Sequence, residues 1–395
     1  DPADIDRALW QSREALWESV PDSRAREDAI LENYFRNRTA AVPQQPDLSM
    51  GSIAGAILSA GGSAPGADGH PYELYHYGVR FTAHVIGNAL IAAQESRPLE
   101  GCLGPNIDLL VWIPKKEGAL TPEGQRPLQL PTCMRRLFGA IVVSTVGPPL
   151  ESALSPFQAA VRGGTCGVNI KKVYQHLAGY NPPETPPVGR LWAAVLGEAA
   201  EGCQKICADA ADPALERCPA TVLNDQAKAF ERVAHAWMAK VMKGWRLPTW
   251  AYNSLLALFQ SRWAQSCVQG KLGMLRLLLR GFGMGGPASP LEWSIAYDPL
   301  VVALFEAVGA VPPTFVDDLA ALTWGPEHTL RAQIFSFAVS QVAGLLTEVH
   351  SCKTLMFRLS DSCSLSRIRA ILHPFPATLT DYNDDDGTWH HILGL

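Results

Sequence analysis

The chain has no apolar run approaching the roughly 20 residues that a membrane-spanning helix requires: the segment 138–146 meets Pro148 and Pro149, and later runs carry Asp298 and Glu306. It has no CxxC pair either. Its nine cysteines are scattered and odd in number, which argues against a closed disulfide framework and for reduced thiols inside a cell, in the nucleus or cytoplasm. There is no excess of positive charge. Lys and Arg total 33 against 38 Asp and Glu, a formal net charge of -5, which weighs against a freestanding nucleic-acid binder. A starting methionine and a signal-peptide pattern are also missing, so a fragment or a processed product is expected.

What is present describes a globular protein. Apolar residues make up 47% of the 395 and charged ones 18%, enough to bury a sizeable interior divided among two or three lobes. Thirty prolines and 33 glycines imply many loops. Charge is uneven along the chain. Between positions 111 and 180, Lys115, Lys116, Arg126, Arg135, Arg136, Arg162, Lys171 and Lys172 outnumber Glu117, Glu123 and Glu151, providing a local basic surface. Cys203 and Cys207, with Cys218 after them, are expected to be buried and inert rather than a metal site, because zinc needs a fuller ligand set.

Periodicity predicts helices over 4–19, 23–38, 49–58, 132–146, 227–243, 250–270, 290–308 and 328–346. Strands are expected at 108–114, 220–223, 272–279 and 354–359. Residues 181–218, Pro-rich and then Ala/Glu-rich, are expected to form a surface insertion. The mixture is α+β.

One acidic pattern carries chemistry. Asp225 ends an expected strand, and Asp317-Asp318 lies between apolar arms, like the turn of a hairpin. Nucleotidyl transfer by two metal ions about 4 Å apart needs only two or three such carboxylates, because magnesium keeps waters and takes substrate phosphate oxygens. Alone, an Asp pair is more often a solvated turn or a helix cap.

The surroundings of these residues carry a resemblance. Asp225-Gln-Ala-Lys-Ala-Phe-Glu231 resembles the first palm motif of non-LTR retrotransposon reverse transcriptases, and Phe315-Val-Asp-Asp318 resembles their aromatic-x-Asp-Asp motif. Between them, Gly281-Phe-Gly-Met-Gly-Gly-Pro-Ala-Ser-Pro290 is similar to the family's Gly-x-Arg-Gln-Gly-x-Pro-x-Ser-Pro. Ala64-Pro-Gly-Ala-Asp-Gly-His-Pro71, Ile113-Pro-Lys-Lys116, Arg126-Pro-Leu128, the stretch 158–170, Gly344-Leu345 with Lys353, and Ile392-Leu-Gly394 follow further family motifs in order.

The resemblance implies a right-hand polymerase with fingers and an antiparallel palm sheet flanked by helices, the thumb absent. It divides the chain into an N-terminal helical extension (1–48), a fingers-like region (49–219) with the insertion at about 181–218, and a palm (220–395) ending where the primer grip begins. It further implies RNA-directed DNA synthesis on an RNA template and DNA primer, with deoxynucleoside triphosphates and two Mg2+, or Mn2+ in their place. Asp225, Asp317 and Asp318 would ligate the metals. Phe230 would crowd the sugar 2′-carbon, and Lys115, or its neighbour Lys116, with Arg126 would hold the triphosphate. Lys353 matches a lysine acting on pyrophosphate, or simply marks a strand entrance. Gly285, Pro287 and Ser289 keep the backbone of the glycine-rich turn.

The sequence departs from the pattern at Gly283 and Met284, where Arg and Gln are usual, at Ser63 and at Gly164. A domesticated domain that scaffolds protein partners is therefore the alternative function. A metal-dependent phosphatase or nuclease would leave the fingers motifs unexplained.

Overall fold

In a computed structural model, residues 1–12, 24–61, 64–119, 121–160, 164–178, 189–348, 355–357, 365–372 and 379–381 are described. Among the described residues ten strands run in chain order: β1 (Ile107–Pro114), β2 (Gln125–Leu130), β3 (Pro219–Gln226), β4 (Arg262–Val268), β5 (Lys271–Leu278), β6 (Thr314–Phe315), β7 (Asp318–Trp324), β8 (Thr347–Glu348), β9 (Leu355–Phe357) and β10 (Leu379–Asp381). With the helices among them they make an α+β protein. Two units form, interleaved in sequence: Asp1–Pro21, Arg38–Ala153 and Phe230–Ile295 make the first, and Asp22–Asn37, Leu154–Ala229 and Ala296–Leu395 the second. Each draws on all three expected regions.

The first unit is built on a four-stranded sheet in the order β2-β1-β4-β5. β1 and β4 are parallel, while β1–β2 and β4–β5 are antiparallel. One face packs Leu110, Ala264 and Leu278 against Trp10 of the helix Pro2–Gln11. Trp10 Nε1 donates to Ser266 Oγ at 3.3 Å, and the Arg276 guanidinium lies 4.8 Å from the Trp10 ring centre. The helix expected to stop before Pro148 instead runs from Cys133 to Ala153 through both prolines. Burial of Val146, Gly147 and Leu150 on one side holds the turns that the prolines weaken. Where one helix was expected over 250–270, Thr249–Phe259 is helical and β4 follows, because Trp263, Cys267 and Val268 pair into the sheet.

The second unit holds a six-stranded sheet, ordered β10-β9-β3-β7-β6 with β8 also on β3. The pairings of β3 with β7, β8 and β9 and of β6 with β7 are antiparallel, whereas β9 and β10 are parallel, so the sheet is mixed. Residues expected as a surface insertion form the helices Arg190–Leu196 and Ala200–Asp209. These are not peripheral: Trp192 and Cys207 are buried, and Trp192 stacks on Phe335 of the helix Gly325–Val342 at 6.0 Å. Burial pushes the Cys207 thiol up to about 12, so it is inert. Asp298 is fully buried beside Pro299 and takes hydrogen bonds from Tyr34 Oη at 2.5 Å, from the Ser155 amide at 2.9 Å and from Ser155 Oγ. Among the described residues no helix is long and apolar enough to cross a membrane.

His328 gives this unit a pH limit. Burial, aided by Arg331, lowers its pKa from 6.5 to about 4, so it is neutral when folded. The unfolded chain takes up the proton first, so stability is complete above pH 6.5 and is lost as pH falls toward 4, by about 3 kcal/mol in all. Urea midpoints measured across this range are expected to fall for the parent and to flatten for His328→Gln.

Candidate active site

Burial drives β3 into the centre of its sheet: Ala220, Thr221, Val222, Leu223 and Asn224 are all buried, and the strand continues through Asp225 to Gln226. Its antiparallel partner β7 pairs Asn224 with Leu319. One further step of that ladder sets Asp225 beside Asp318. Phe315 pairs with Asp318, leaving Val316 and Asp317 as the two-residue turn. Thus Asp318 begins a strand instead of sharing the turn, and Asp317 alone sits at the tip. Asp225 and Asp317 are half-buried and Asp318 is exposed.

The turn is strained. Val316 has φ 56 while Asp317 keeps a negative φ, the pattern of a turn that favours glycine at its first central position. For a β-branched residue this is an outlier of the kind that concentrates at functional sites, costing on the order of 1–3 kcal/mol.

Tyr297, fully buried on the helix Ser289–Val308, reports the field that the carboxylates share. Burial raises its hydroxyl pKa most, and Asp317, Asp318 and Asp225 each add to the rise against a hydrogen bond from Gln226. Gln226 was not among the expected site residues. It is buried, with its Nε2 within 3.2 Å of Tyr297 Oη, 3.2 Å of Ser340 Oγ and 3.0 Å of Thr347 Oγ1, so it fixes the end of β3 next to Asp225. Nothing local in the sequence marks Gln226 or Tyr297, since their partners come from distant segments.

Among the described residues no group of three or more His, Cys, Asp or Glu forms a ready-made metal cage. The residue types fit magnesium all the same. Hard carboxylate oxygens lie on neighbouring strands, their negative field reaches Tyr297, and magnesium completes its shell from water and substrate. Asp225, Asp317 and Asp318 are the carboxylates that the resemblance assigns to it. Lys353 and the segment 392–394 lie outside the described residues.

The remaining expected residues belong to the first unit. Ile113 pairs with Arg126, and Lys115 continues the ladder by donating its amide to Gly124 O at 2.8 Å. Lys115 and Arg126 therefore stand diagonally on one face of the hairpin, both exposed, and the same alternation turns Lys116 to the other face. Phe230 stacks on Trp293 with ring centres 5.2 Å apart.

The glycine-rich turn has a physical reason at each kept position. Gly285 has φ 117, and a Cβ there would stand 2.5 Å from the Gln129 carbonyl oxygen. Pro287 Cγ lies 3.2 Å from where a Cβ on Gly139 would be. Ser289 Oγ donates to Gly283 O at 2.5 Å. At Gly283, where the family's arginine was expected, a Cβ would meet Nη1 of Arg262 at 2.6 Å. A guanidinium from β4 thus fills the space in front of the turn, donating to Gly281 O at 3.1 Å and lying 3.5 Å from the buried carboxylate of Asp108.

No protein-family model matches the chain, and no curated protein matches it at a significant score.

Two substitutions test this geometry. Val316→Gly removes the turn strain and is expected to raise stability by about 1 kcal/mol, net of glycine's greater freedom when unfolded. An unchanged or lower urea midpoint would show that the turn is relaxed. Burial holds Glu292 up to about 8 against the pull of Arg262, so it is protonated in the fold. Its stabilising share is complete below the unfolded value of 4.5 and is lost as pH rises through 8. Glu292→Gln is therefore expected to gain on the parent steadily over that window, by about 5 kcal/mol at its upper end.

Proposed function

We propose that the chain is the fingers-and-palm core of an RNA-directed DNA polymerase of the non-LTR retroelement type. The observation that carries the reading is the pairing of β3 with β7, which sets Asp225 at the base of a strained Phe-Val-Asp-Asp turn. A solvated surface turn has no need of a β-branched residue at φ 56, nor of a neighbouring carboxylate on an otherwise buried strand.

In this reading Asp225 and Asp317 hold two magnesium ions and Asp318 assists. The metals would lower the pKa of the primer 3′-hydroxyl and offset charge on the leaving pyrophosphate. Gln226 keeps Asp225 in register by tying the end of β3 to Tyr297, Ser340 and Thr347. Lys115 and Arg126 bind triphosphate oxygens from one face of their hairpin, and Phe230, backed by Trp293, excludes a 2′-hydroxyl.

A second reading is favoured by Met284, which leaves the glycine-rich turn without its usual amide: a catalytically impaired, domesticated domain that scaffolds a larger assembly. Primer extension by the full-length protein on an RNA template with Mg2+ or Mn2+ separates the two. Incorporation is expected, with Asp225→Asn or Asp317→Asn lowering it at least about a thousandfold. Phe230→Ala is expected to admit ribonucleotides at least about tenfold better relative to deoxyribonucleotides. Template-primer binding without incorporation would leave the scaffold reading standing and end the first.

A further inference from the structure

Among the described residues the sheet of the first unit is covered on one face, while the other is exposed along β5 and half-buried along β1 and β4. Trp10, Leu110, Ala264 and Leu278 fill the covered side. On the other side, Trp263 pairs with Leu277 and with Ile107, Gln265 with Leu275 and Leu109, and Cys267 with Leu272 and Val111. These rows stay in step because Gly273 and Met274 together face the single residue Ser266, a bulge that returns Leu272 to the side of Leu275 and Leu277. Leu272 is 61% exposed, Leu279 46%, Leu275 42%, and Trp263 and Leu277 40% each. A sheet face of this composition ordinarily lies under a second layer.

We propose that this face is an interface between two copies of the chain, packed sheet on sheet about a two-fold axis. Four features select a second copy. The β4–β5 rows carry no charged side chain, so they offer nothing to phosphate or to a partner chosen by charge. The bulge in β5 disrupts the edge where another strand would add, which directs association to the face. An apolar sheet face can be complementary to its own copy across a two-fold axis, at the spacing of about 10 Å that packed sheets adopt.

Area is the fourth. Trp263, Leu272, Leu275, Leu277, Leu279 and Ile113 expose on the order of 500 Å2 of apolar surface, about as much as a monomer leaves in its largest patch. The face continues at Ile107 and Gln265 into a cavity of about 800 Å3 walled by Phe81 and Tyr77, 72% and 97% exposed. Including that wall brings the surface to roughly the 800 Å2 per partner of a standard interface. Lys115 and Arg126 share this face at its far edge, across β4 and β1 from the β5 leucines, so association is read by sedimentation with the β5 variants and the polymerase reading by primer extension.

Sedimentation velocity on the whole chain, over about two decades of concentration around the micromolar range, tests this. Self-association to a dimer is expected, with Leu272→Glu plus Leu277→Glu raising the dissociation constant at least about a hundredfold. Leu58→Glu, an exposed apolar site on the helix Met50–Ser59, is expected to leave association unchanged. The targeted residues are exposed, so the variants keep the parent's circular dichroism and melting. A parent that stays monomeric throughout overturns the proposal, as does a dimer that persists in the double variant.

Discussion

The register between β3 and β7 is the constraint on which the acidic constellation depends. A slip of one residue would turn Asp225 to the opposite face of the sheet and carry the buried side chains of β3 out of their core. The register is pinned at both ends of the strand. At one end, the His176 ring Nε2 sits between the carbonyl oxygens of Ala220 and Thr323, at 3.0 and 2.8 Å, tying the two strands together. At the other, the Gln226 amide reaches Tyr297, Ser340 and Thr347. Both pins are buried, where a hydrogen bond is costly to lose.

That arrangement explains which parts of the molecule were legible in the sequence. The hairpin around Asp317 was, because the apolar residues Phe315 and Val316 before the pair and 319–322 after it, all four of the latter buried, flank it over a short local distance. β1 and β5 were too as strands, though the apolar run of β5 was expected to be buried and instead is exposed along most of its length, because only its far face packs on the core. β4 was not: Arg262-Trp-Ala-Gln-Ser-Cys-Val268 follows a helix without a proline or glycine to separate them, and becomes a strand only because β1 and β5 pair with it. Residues 190–209 misled for the same reason. Their Ala/Glu composition suits a solvated surface, whereas Trp192 and Cys207 find their cover on the helix Gly325–Val342, over a hundred positions away.

The glycine-rich turn shows what a motif comparison misses. Position 283 read as the loss of an arginine, yet the structure has a guanidinium in front of it, supplied by Arg262. The loss and the gain are one event sterically, because a side chain at 283 and the Arg262 head cannot share the space. Arg262 also offsets part of the burial cost of Asp108 and Glu292, both otherwise poorly solvated carboxyls. Met284 has no such counterpart. Its carbonyl accepts the Gln129 amide at 2.9 Å, a bond that any residue there could make.

Strain at Val316 persists only because the hairpin around it is over-determined. Thr314 donates its amide to Phe157 O at 2.9 Å and accepts the Ala159 amide at 2.8 Å, while Ala320 donates to Pro313 O at 3.0 Å. Residues 157–159 therefore form a further ribbon beside β6, bridged at Gln158 and Thr314, and close the hairpin from the side away from β3. Gln158 entered the reading as the first residue of a family-like stretch. Its place in the fold gives that stretch a mechanical role: it holds β6 so that the turn cannot relax by fraying, which would cost two backbone hydrogen bonds, about 1–3 kcal/mol. This matches the strain of one β-branched residue at positive φ. The tip carrying Asp317 is thus fixed by pairing on both flanks, with β3 behind one arm and residues 157–159 behind the other.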